Sequence, residues 1–105
     1  MQLALADEGY RVHWCERGRP GLSAAVAEKP AVVLLDLMLP DIDGRHVLRL
    51  LKADPVTRDI PVIVVSAIAY RLTSDEVDLT AATIGKPFEI DRLLASVRYA
   101  AYPDV

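Results

Sequence analysis

The sequence predicts an α/β fold, with a parallel sheet of about four strands and helices on both faces. Two uninterrupted apolar runs carry this reading, Ala31 to Leu35 and Ile60 to Val65. Each is too short for a helix and shows no polar alternation, as expected of a strand buried on both sides. Between them, Arg45 to Ala53 places Val47, Leu48, Leu50 and Leu51 at helical spacing. Strand, helix, strand in that order requires a crossover and therefore parallel pairing.

The remaining elements extend the same alternation. Leu3, Leu5 and the neighbouring alanines predict the tail of a helix that stops at Gly9, a residue that tolerates a left-handed helix end. Tyr10 to Cys15 is rich in β-branched and aromatic residues and predicts a strand. Gly18-Arg19-Pro20-Gly21 then predicts a loop. Leu22 to Glu28 predicts a helix, closed by Pro30 ahead of the first buried run. Pro40 to Gly44 predicts the next loop. After the second buried run, Ser74 to Ala81 is a weak helical segment. Ala82 to Gly85 is a short strand, and Ile90, Leu93, Leu94 and Val97 mark one face of a last helix.

Composition bounds the function. With 105 residues, 52% of them apolar, the chain has room for one core and is expected to be a single domain, 1–105, without an output domain. The formal charge is −3 and the basic residues form no run, which argues against nucleic acid as a direct partner. The single cysteine, Cys15, can form no internal disulfide and has no zinc-ligand partner, and this fits a cytoplasmic location. No apolar stretch is long enough for a membrane span.

Asp36 closes the first buried run and so stands at the carboxyl edge of a central strand, where open α/β sheets bind ligands. Alone, it reads as a solvated strand end. Its context, Asp36-Leu37-Met38-Leu39-Pro40-Asp41-Ile42-Asp43-Gly44, resembles the loop after the phosphoacceptor aspartate of response-regulator receiver domains. Ser66 follows the second buried run and Lys86-Pro87-Phe88 follows the last strand. Either would pass for a turn former or a surface charge by itself, but both fall where that family keeps a phosphate-binding hydroxyl and a phosphate-binding lysine followed by a cis-favoured proline. The resemblance implies a flavodoxin-like sheet of strand order 2-1-3-4-5, a histidine kinase or other signalling partner, and no enzyme activity of its own. It also implies Mg²⁺ held by the acceptor, by a backbone carbonyl and by two acidic residues after the first strand. Here the first two would be Asp36 and the carbonyl of Met38.

The chain departs from that pattern in several ways. The family's first strand and acidic pair have no counterpart, and Asp7 and Glu8 stand at the far end of the first helix. Metal binding and Mg²⁺-dependent phosphorylation are therefore expected to be impaired, leaving a degenerate receiver that acts through protein contacts. The alternative is a conventional phosphoacceptor whose N-terminus is missing from this chain. An aromatic switch position is occupied by Thr83, with Tyr70 nearby. A haloacid-dehalogenase-type phosphatase would need an Asp where Met38 stands, and dinucleotide binding would need a Gly-rich turn that is absent. Loss of a central strand would leave a gap between Tyr10–Cys15 and Ala31–Leu35. That gap closes either by direct pairing of those two strands or by a second chain. A homodimer is expected.

Overall fold

The computed structural model describes residues 11–101. The chain runs β1 (Val12–Cys15), α1 (Gly18–Glu28), β2 (Val32–Leu35), α2 (Gly44–Ala53), β3 (Val62–Ser66), a 3-10 turn (Ala69–Arg71), α3 (Ser74–Asp78), β4 (Ala82–Gly85) and α4 (Ile90–Ala101). All three strand pairings are parallel, in the order β1-β2-β3-β4. This is the expected α/β architecture with its four strands. The helix expected before Gly9, with Asp7 and Glu8 beside it, lies outside the described residues.

Every residue of β2 and β3 is buried, because the sheet is covered on both faces. Side chains of a strand alternate between faces. Val32, Leu34, Ile63, Val65 and Ile84 therefore face Leu93 and Val97 of α4, with Val12 and Trp14 at the margin of that layer. Val33, Leu35 and Val62 face the other way, onto Ala25 of α1 and Val47, Leu48 and Leu51 of α2, together with Cys15. The unbroken apolar runs of the sequence are thus two interleaved half-cores.

The expected gap is not there. β1 lies directly beside β2, in register from Val12 opposite Val32 to Cys15 opposite Leu35. Of the two ways to close the gap, direct pairing is the one adopted, and the described strands show no reversal of order beside Asp36. Unpaired backbone groups at two facing edges would be costly, and parallel pairing through the α1 crossover satisfies them within the chain.

The second correction concerns α1, which begins at Gly18 rather than Leu22. Arg17 at the N-cap offers no side-chain acceptor. The Asp41 carboxylate supplies one from elsewhere in the chain, accepting from the Gly18 amide at 2.8 Å and the Arg19 amide at 3.0 Å. Pro20 then falls in the first turn, where a missing N–H costs nothing. Gly21 lies inside the helix, where the Cys15 side chain occupies the space a Cβ would need. A turn-like tetrapeptide has become the start of a helix through a partner more than twenty residues away.

Candidate functional site

Three strand ends converge on one edge of the sheet. Asp36 follows β2, Ser66 is the last residue of β3, and Lys86 follows β4. Because β3 lies between β2 and β4, the lysine needs its long stem to reach across the end of β3. Its Nζ donates to Asp36 Oδ2 at 2.6 Å, forming an ion pair whose side chains are 36% and 20% exposed. The ion pair expected for a lysine in this position is therefore formed. The Lys86–Pro87 peptide is cis.

The other Asp36 oxygen, Oδ1, accepts from the Met38 amide at 2.9 Å. Partial burial raises the Asp36 carboxyl. The hydrogen bond from Lys86, the Met38 amide, the Ser66 hydroxyl and the lysine charge together outweigh it, holding the group below the usual aspartate value. Ser66 is fully buried, and its Oγ also accepts from the Ile68 amide at 3.3 Å, so one hydroxyl links the carboxylate to the chain leaving β3. A carboxylate kept ionised beside a fixed ammonium and a hydroxyl can act as a nucleophile towards an electrophilic phosphorus and then hold the anionic product.

The loop after Asp36 is fastened at both ends. The Gly44 amide donates to the Leu37 carbonyl at 3.1 Å, and a Cβ on Gly44 would stand 2.6 Å from the Asp36 carbonyl oxygen. Only glycine permits that approach. Asp43 caps α2 by accepting from the Arg45 amide at 2.9 Å. Asp41 reaches out to α1 as described. The sequence reading treated this stretch as a family signature and a turn, and it missed the separate jobs of Asp41 and Asp43. Asp43, directly ahead of a helix, carried a legible capping signal; Asp41 carried none.

Beside Ser66 lies a cavity of about 400 Å³ bordered by Ala67, Leu72, Val77 and Thr83, with Tyr70 at its rim and 77% exposed. Thr83 is too small to fill it. Beyond the cavity, Thr73 and Glu76 form a capping box for α3: the Glu76 amide donates to Thr73 Oγ1 at 3.2 Å, and the Thr73 amide donates to Glu76 Oε1 at 2.9 Å. Glu76 is buried and its Oε2 accepts from Arg49 of α2 at 2.9 Å. The Thr73-x-x-Glu76 spacing was readable in the sequence, but the arginine was not.

Magnesium asks for near-octahedral oxygen donors. The described residues bring one carboxylate, both of whose oxygens are already engaged by Met38 and Lys86. Among them no group of three His, Cys, Asp or Glu side chains gathers to hold an ion. The described donors do not by themselves make a magnesium site. Among the described residues, no helix is long and apolar enough to cross a membrane.

Comparison with known proteins agrees with the fold. The chain is 41% identical over 104 residues to the transcriptional regulatory protein YkoG of Bacillus subtilis, covering 95% of this chain and 44% of YkoG. It spans under half the length of the full-length regulators it matches, such as YkoG and the response regulator ArlR of Staphylococcus saprophyticus. Among solved structures, the signal receiver domain of a LuxO repressor protein from Vibrio parahaemolyticus superposes with a TM-score of 0.76 at 29% identity, covering 94% of this chain and 76% of that one. The receiver domain of the Pseudomonas aeruginosa sensor histidine kinase PA1611, with a magnesium ion coordinated in its active site cleft, shares the fold at a TM-score of 0.76 and 24% identity, over 92% of this chain and 81% of that one. The response regulator receiver domain family matches residues 1–98, and the chain belongs to that family of two-component signalling domains.

Proposed function

We propose that this receiver domain accepts a phosphoryl group on Asp36 from a histidine kinase or other phosphodonor, with Lys86 and Ser66 binding the transferred group. The observation that carries the reading is the convergence of the Lys86 ammonium, 2.6 Å from Asp36 Oδ2, and the Ser66 hydroxyl on one carboxylate. An Asp36 oxygen attacks phosphorus, the bond from phosphorus to the donor atom breaks (the imidazole nitrogen of a phosphohistidine or the carboxylate oxygen of acetyl phosphate), and the donor leaves with that electron pair. The product is an acyl phosphate whose oxygens stand where the ammonium and hydroxyl can meet them. The domain acts as a signalling module, and its output is a changed surface offered to a protein partner. The name of YkoG assigns transcriptional regulation to that longer protein.

A second reading is a module that signals through protein contacts without magnesium-dependent phosphorylation. It is favoured by the engagement of both Asp36 oxygens within the chain. Incubation with acetyl phosphate, with and without Mg²⁺, followed by intact mass measurement separates the two. Gain of one phosphoryl group, slow because the described donors do not by themselves make a magnesium site and abolished by Asp36→Asn, is the expected result. An unchanged mass under both conditions leaves the second reading.

A further inference from the structure

The proposal concerns Asp41, an exposed carboxylate that belongs neither to the acceptor's immediate contacts nor to the core. Two independent observations bind its loop to α1. Its two oxygens take the Gly18 and Arg19 amides, one each, at 2.8 and 3.0 Å. Next to it, the Ile42 side chain lies in the space above Gly18, where the Cδ1 atom would be 2.7 Å from a Cβ. The loop tip is therefore hydrogen-bonded to the first turn of α1 and seated against it.

Between Asp36 and the tip stand Leu37, Met38, Leu39 and Pro40. Met38 sets the orientation of the acceptor through its amide on Oδ1. At the other end the loop is closed by Gly44 and Asp43 at the start of α2. The segment carrying Met38 is thus held between two helix N-termini, and the hold on the α1 side is Asp41. Helix N-terminal amides attract a carboxylate both as hydrogen-bond donors and through the helix dipole. The same negative charge, after burial, helps raise the Cys15 thiol to about 11, so its field reaches the layer beneath the loop.

We propose that Asp41 is a positioning residue of the Asp36 site, its carboxylate clasping the acceptor loop to α1 and so keeping the Met38 amide on Asp36 Oδ1. The inference rests on the reading of Asp36 as phosphoacceptor. A capping residue that merely stabilised α1 would affect unfolding and leave the acceptor's geometry alone. A clasp affects the geometry first. Release of the loop tip frees Met38 to swing away, and the acceptor then samples orientations that miss the phosphorus. Displacements of this kind slow a reaction strongly even when made far from the reacting atoms.

The test uses the full chain and four variants. Asp41→Ala removes the clasp. Asp41→Asn keeps an acceptor oxygen without the charge. Asp41→Glu keeps the charge on a tether one methylene longer. Ala27→Gly weakens α1 at an exposed position away from the loop. Amide spectra are recorded for each, and the initial rate of phosphorylation by acetyl phosphate with Mg²⁺ is measured. Asp41→Ala is expected to move the Met38 amide together with those of Gly18 and Arg19 and to slow phosphorylation about tenfold or more. Asp41→Asn is expected to retain the Met38 amide position and most of the rate, while Ala27→Gly leaves both unchanged at a comparable loss of stability. Should Asp41→Ala not fold, Asp41→Glu takes its place, with a shift of the Met38 amide and a slower rate expected. A Met38 amide unmoved in both, an unchanged rate despite a moved amide, or an equal displacement in Ala27→Gly overturns the clasp. If the wild-type protein takes up no phosphoryl group, the acceptor reading fails by itself, and the clasp stands or falls on the Met38 amide.

Discussion

At the scale of single residues, the site is an exercise in keeping a carboxylate ionised and aimed. Burial is the largest single influence on Asp36 and raises its carboxyl, but the Lys86, Met38 and Ser66 contacts together outweigh it. Lys86→Met removes the ammonium while keeping much of the stem. The Asp36 carboxyl is then expected to titrate nearer the ordinary aspartate range, read from its carboxyl carbon by NMR; an unchanged titration would show that the pair does not form in solution. A group depressed in the folded state contributes stability above its unfolded pKa, and that stability is lost as pH falls through the lowered folded value. The acid limb of the stability curve should therefore flatten in Lys86→Met. The pair is partly open to solvent, the lysine more than the aspartate, so the loss at neutral pH is expected to stay within about 1 kcal/mol.

Among the elements, glycines and caps decide where helices begin. Gly44 faces backbone, the Asp36 carbonyl oxygen at 2.6 Å from a would-be Cβ, whereas Gly18 faces the side chains of Ile42 and Val47. Backbone in a sheet edge cannot move aside, and side chains can give way by turning about χ1. Gly44→Ala is therefore expected to cost about 2 kcal/mol or more and Gly18→Ala less than that, compared by urea denaturation; the reverse ranking would deny the close approach. α3, five residues long, is too short to hold itself as a helix. Glu76 anchors it. Its carboxyl is held low by the Thr73 amide first, against burial, with the Arg49 charge adding to the effect. Stability from Glu76 is thus present above the ordinary glutamate value and lost as pH falls through its depressed one. Hydrogen exchange at Val77 and Leu79 should accelerate across that acidic range. Glu76→Gln, which cannot ionise, should exchange faster at neutral pH and show no such acid step.

For the molecule as a whole, the direct pairing of β1 with β2 removes the gap that was the reason for favouring a second chain. The sheet is continuous and its central strands are fully buried. The expected homodimer loses the physical reason given for it, and sedimentation equilibrium is expected to return the monomer mass of 11.5 kDa across a wide concentration range. A concentration-dependent rise towards twice that mass would restore the dimer and place it on another surface.

The strand–helix alternation and the two doubly buried strands were legible in the sequence, because they rest on short-range signals: unbroken apolar runs and helical spacing. Burial on both faces leaves no polar position in β2, or in β3 ahead of Ser66. Asp36, Ser66 and Lys86 were marked by the resemblance to receiver domains, since each alone reads as a strand end, a turn former or a surface charge. The start of α1, the neighbour of β1 and the anchors of α3 were decided by the tertiary structure. Asp41 meets Gly18 across 23 residues and Arg49 meets Glu76 across 27, and no local propensity encodes a partner at that distance. Gly18-Arg19-Pro20-Gly21 has the composition of a turn, and it is a helix start whose first amides are satisfied by a carboxylate from the loop beyond β2. β1 likewise has the composition of a strand wherever it lies. Its place beside β2 follows from the requirement that exposed backbone groups find partners, a condition on the assembled sheet rather than on the segment.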